Sequence, residues 1–89
     1  MKIIIDPGEA RRFAALLDER SRNLKEINRR VSHQILELGM NGWQDSRYRD
    51  FLRRFDEVST FLQVFLEHTD KYAHYLRRKA VAIERYLRR

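Results

Sequence analysis

The fold class that this sequence predicts is all-α: an antiparallel helical hairpin that dimerises into a four-helix bundle. Three observations predict it. Apolar residues recur every seven positions in two long stretches, a short glycine-containing cluster separates those stretches, and Gly and Pro number only 3 and 1 in 89 residues. So few turn residues cannot build a sheet protein on tight turns. Charged residues at 36% and hydrophobic ones at 43% also suit long amphipathic helices. A chain of this length makes one domain, expected over residues 1–89, with no linker, second domain or low-complexity tract.

The first helix is predicted over about 7–38. Asp6 suits the N-cap, Pro7 the first helical position and Glu9 the capping-box position, which leaves residues 1–5 outside and extended. Ala10, Leu17, Leu24, Val31 and Leu38 keep the seven-residue period, with Phe13, Ala14, Ile27 and Ile35 beside them. The stripe breaks once, at Arg20-Ser21, where the sequence requires a buried arginine stem or an acidic partner. Gly39, Asn41 and Gly42 tolerate positive φ and place a turn over about 39–45.

The second helix is predicted over about 46–88, capped by Asp45. Its stripe is Tyr48, Phe55, Leu62, Thr69, Leu76 and Ile83, flanked by Phe51, Val58, Phe65, Tyr72, Leu66, Ala73, Ala80 and Leu87. Neither Gly nor Pro interrupts it. More apolar surface is present than one two-helix seam can hide. The middle of the bundle is therefore expected from Leu24, Ile27 and Val31 together with Phe55, Val58, Leu62, Phe65 and Leu66. Burying side chains of that size contributes about 1.5–3 kcal/mol each, which favours pairing with a second hairpin.

Charge is uneven along the chain. The net value is +6, yet the count through Asp45 is 8 basic to 7 acidic, and Lys71 to Arg89 holds seven basic residues against Glu84 alone. Arg77, Arg78, Lys79, Arg85, Arg88 and Arg89 mark a basic segment that either complements the helix dipole or meets an anionic partner. No cysteine is present, which removes disulfides, thiolate metal sites and a cysteine nucleophile. His33, His68 and His74 do not share ligand spacing, and there is neither an HExxH motif nor a glycine-rich phosphate loop. The expectation is a protein without catalytic activity, metal, cofactor or small-molecule substrate. The longest aliphatic run, Ile3-Ile4-Ile5, is far too short to span a membrane, and no cleaved secretory signal is expected.

Trp43 stands alone of its kind, in the turn Gly39-Met40-Asn41-Gly42-Trp43-Gln44-Asp45. A tryptophan there is expected to plug the end of the bundle. Two amphipathic helices, a central Trp-containing turn and aromatics at Phe51 and Phe55 resemble the WXG100 (ESAT-6-like) family of bacterial type VII secretion. The resemblance covers nearly the whole chain but has one short motif, in which Trp43-Gln44 match and Asp45 replaces glycine. The family's Tyr-x-x-x-acid tail motif is missing, since Leu76 follows Tyr72 and Lys79 follows Tyr75 at that spacing. The resemblance implies a substrate, chaperone or adaptor acting through helix-bundle contacts. Its partners would be a second copy or a sister hairpin, and an FtsK-like secretion ATPase. Export without a cleaved signal peptide follows from the same likeness, with cytoplasmic residence as the alternative.

Nucleic-acid binding by the basic C-terminal helix is the alternative function. Five arginine doublets favour it; the acids Asp18, Glu19, Glu26, Asp56, Glu57 and Glu67 dilute every basic region but the last, and no sequence-reading motif is present. A membrane-surface role for the same segment ranks below it.

Overall fold

The computed structural model describes residues 6–88, so the expectations for residues 1–5 and for Arg89 lie outside the described residues. Among the described residues there are two helices, α1 (Pro7–Met40) and α2 (Ser46–Leu87). The fold is an all-α helical hairpin.

Local chemistry sets each helix end. The Asp6 carboxylate accepts the Gly8 N–H at 2.9 Å, which satisfies one of the donors left open at the start of α1. Glu9, at the capping-box position, accepts from Arg12 at 2.5 Å. At the other end α1 continues two residues beyond the expected 38. Gly42 alone adopts a positive φ, at 90°, while neither Asn41 nor Gly39 does. With Gly42 left-handed, its N–H reaches the Gly39 carbonyl at 3.1 Å and the Trp43 N–H reaches the Leu38 carbonyl at 3.2 Å. That bond pair is the Schellman termination, which satisfies two carbonyls at the end of α1. Asp45 then caps α2 by accepting the Tyr48 N–H at 2.7 Å.

The chain divides into two compact units. One has residues 6–21 and 66–88 as its described part; the other is Arg22–Phe65. Within the first, Ala10, Ala14, Ala73, Leu76 and Ala80 form a buried cluster, with Leu17 packed against it. Ala14, Ala73 and Ala80 are fully excluded from solvent. Small side chains at a helix seam let two backbones approach closely, so burial is complete without large residues. Arg11 binds Glu84 across this seam. Seven residues further along α1, Asp18 binds Arg77 at 2.5 Å. Residue numbers rising on α1 while falling on α2 make the pairing antiparallel.

The stripe break in α1 resolves simply. Ser21 takes a half-buried position and Arg20 lies exposed, so no arginine stem is buried there. Leu66, expected in the middle of the bundle, is 5% exposed within the hairpin itself.

Within Arg22–Phe65 the pairing is also antiparallel, because the Tyr48 hydroxyl donates to the Ile35 carbonyl at 2.8 Å and Ser59 donates to Asn28 at 3.0 Å. Gly39 is required here for proximity: a methyl group on it would run into the Tyr48 hydroxyl and meet Cζ at 3.0 Å. This unit buries no hydrophobic side chain at all.

Candidate functional site

Apolar residues on Arg22–Phe65 form the first candidate surface. Phe51, Val58, Phe61 and Phe65 recur along α2 at i, i+7, i+10 and i+14, which puts them on one helical stripe. All four are exposed, Phe61 at 73%. On α1, Leu24 and Ile27 are exposed and Val31 is half-buried. Phe55 and Leu62 are half-buried, and the Phe55 ring stacks with Phe51 at 6.5 Å between centroids. Of the eight residues expected at the middle of the bundle, seven thus lie in this unit and are exposed or half-buried. Leu66 lies in the other unit.

Polar groups bound this surface. Glu26 accepts hydrogen bonds from Arg29 and Arg30, at 2.7 and 3.0 Å. These bonds, before any longer-range attraction, hold its carboxyl well below the usual carboxylate range, at about 2. Asp50 is lowered in the same direction by hydrogen bonds from Arg53 and Arg54. Both clusters are spaced three and four residues apart on single helices, so they stabilise solvated helix faces rather than a reaction centre.

At the turn, Trp43 is 61% exposed in the hairpin. Its backbone occupies the position after the left-handed Gly42, and its ring borders a shallow groove with Leu38, Ile35, Tyr48 and Phe51. Tyr48 is the residue that secures this end, through its hydroxyl bond to Ile35. Gln44 donates its side-chain amide to the Gly39 carbonyl at 3.0 Å, and the Gln44 carbonyl accepts from Arg49 at 2.8 Å. The three turn residues therefore divide their work: Gln44 and Asp45 close the two helix ends, and Trp43 is left presented to solvent. Sequence reading took Tyr48 for the first member of an apolar stripe; a glycine next to the end of a helix, facing a tyrosine across the hairpin, was the available signal.

The second surface is the end of α2. Arg77, one of the expected partner-binding residues, pairs with Asp18 across the helices. Glu84 is committed to Arg11, whose hydrogen bond lowers the Glu84 carboxyl from its usual value. Arg78, Lys79, Arg85 and Arg88 are exposed. Both interhelical ion pairs were missed by sequence reading, although the signal existed: Arg11 and Asp18 are seven apart, as are Arg77 and Glu84, with opposite charges in matching order.

Among the described residues no group of three His, Asp or Glu side chains could hold a metal ion. His33 and His74 each lie within 4 Å of an acid one turn on or back, Glu37 at 3.1 Å and Asp70 at 3.6 Å, all on exposed faces. No helix of the described residues is long and apolar enough to cross a membrane. Compared with family models, curated proteins and solved structures, the chain finds no match.

Proposed function

We propose that the protein is a non-catalytic, WXG100-like (ESAT-6-like) helical hairpin that works by pairing with a second copy of itself into a four-helix bundle. One observation carries this reading: the whole of Arg22–Phe65 buries no hydrophobic side chain while leaving Ile27, Phe51, Val58 and Phe61 exposed. Covering such residues contributes about 1.5–3 kcal/mol each, and a second apolar helix pair supplies the cover. The turn Trp43-Gln44-Asp45 adds the family likeness, with a presented indole and a capping aspartate where the family has glycine. On that likeness the protein serves as substrate, chaperone or adaptor of a type VII-like secretion system, exported without a cleaved signal peptide and engaged by an FtsK-like ATPase.

Sedimentation equilibrium of the full chain tests the pairing. The expected result is a dimer that Val58→Asp and Phe61→Asp, both at exposed positions, convert to monomer; a wild-type monomer at all concentrations overturns it. Co-purification with an FtsK-like ATPase encoded nearby, weakened by Trp43→Ala, tests the secretion role, and indifference to that substitution removes the turn from it.

A further inference from the structure

The end of α2 carries an inference independent of bundle formation. From Lys71 to Arg88 the sequence has six cations and one acid, Glu84, and the structure engages Glu84 with Arg11. Arg77 neutralises Asp18 in turn. Among the described residues, Lys71, Arg78, Lys79 and Arg85 form no ion pair, and all four are exposed. Lys71, Arg78 and Arg85 repeat every seven residues, so they line one outward stripe spanning about 21 Å at 1.5 Å per residue. Val81 and Ala82 form with Arg78 and Arg85 a shallow groove between the cations.

A tyrosine stripe runs beside them. Tyr72, Tyr75, Lys79 and Tyr86 fall at i, i+3, i+7 and i+14, hence on one face. All three rings are substantially exposed, and Tyr72 and Tyr75 stack on each other at 5.8 Å with 25° between planes. Exposed aromatic rings flanked by unpaired cations match what a single nucleic-acid strand requires, since bases stack on the rings while phosphates meet the guanidinium and ammonium groups. The alternative of a lipid surface is disfavoured by the same fold. A helix that lies in a membrane interface inserts its apolar face, whereas here Ala73, Leu76, Ala80 and Ile83 are buried inside the unit. A rigid duplex offers no unstacked bases to the tyrosines.

We propose that the outward face of α2 between Lys71 and Arg88 binds single-stranded nucleic acid without sequence preference, with Arg78, Lys79 and Arg85 on phosphates and Tyr75 and Tyr86 stacking bases. The test is fluorescence anisotropy of a labelled oligothymidylate against the full chain over a salt series. Affinity is expected to fall with salt at a log–log slope of about −2 to −3, as about 0.7 per phosphate contact dictates for single strands. Arg78→Gln with Arg85→Gln lowers that slope by about 1.4 on the same rule. Tyr75→Leu with Tyr86→Leu keeps the slope but weakens binding about fivefold or more per ring, the loss of a stacked base. Helicity by circular dichroism confirms that each variant is folded. Absence of binding at low salt, an unchanged slope in the arginine variant, unchanged affinity in the tyrosine variant, or preference for duplex or for phosphatidylglycerol vesicles over the oligonucleotide overturns the proposal.

Discussion

Residues 6–21 with 66–88 and the segment Arg22–Phe65 are built from the same two helices and the same seven-residue period, yet only the first has a core. In the first, the seam positions are Ala10, Ala14, Ala73 and Ala80, with Leu76 between them, and they are buried completely or nearly so. In the second, the seam and its borders carry Leu24, Ile27, Val31, Phe55, Val58 and Leu62, none of them buried. Hydrophobic content is not what separates the two. Two helices enclose only the narrow strip between them; in the first unit the alanines on that strip are covered fully and leave Leu76 buried among them, whereas the larger side chains at the second unit's seam stay half-buried or exposed. A hairpin thus closes on itself where its seam is alanine and looks outward where its seam is bulky.

The largest expected effect comes from breaking the unit that is closed. Leu76→Ala removes a buried side chain from the one buried cluster among the described residues, and a loss of about 2–5 kcal/mol is expected in urea unfolding. Ile27→Ala in the open unit is expected to change unfolding by less than about 0.5 kcal/mol under conditions where the chain is monomeric. A comparable loss from both would erase the contrast. The next effect lies at the turn, where Gly42→Ala forces a side chain into the left-handed region. Nothing lies within 4 Å of the added methyl, so the expected cost of about 1–2 kcal/mol is backbone strain alone. Gly42→Asn should cost less, because asparagine tolerates that conformation. Asp45→Ala removes the cap of α2 and is expected to cost about 1 kcal/mol by thermal melting.

The smallest effect sharpens the comparison by pH. Glu84 joins the two helices of the closed unit, whereas Glu26 bonds only within α1. Both carboxyls are lowered from the free value of 4.5, Glu26 to about 2. A folded value below the unfolded one means stabilisation that is present above pH 4.5 and is lost as pH falls through the folded value. Arg11→Gln should therefore flatten the acid limb of melting temperature against pH by removing the share of Glu84. Glu26→Gln should flatten its lower part, toward pH 2. Both changes are small, as exposed pairs are.

Much of the local structure was legible in the residues. Asp6 and Asp45 are good caps wherever a helix starts after them, and both act as such because the bond runs between neighbours in sequence. The end of α1 was legible only to within two residues. Three candidates for positive φ stood close together, and the choice of Gly42 depends on which bond set the turn completes, with Gly39 needed instead for the approach of Tyr48. A large aromatic at a bend is normally worth burying, yet within the hairpin Trp43 stays exposed beside a shallow groove, so its cover is not decided by the two helices alone.

By itself, then, the sequence determined the two helices, their caps and the excess of apolar surface over what a two-helix seam hides, because periodicity and capping act over one or two turns. Only the tertiary structure decided which apolar residues are hidden, that Leu66 is among them and Phe61 is not, and that Arg77 and Glu84 are spent on Asp18 and Arg11. Those outcomes depend on which α1 side chain faces which α2 side chain, a register that no single helix carries.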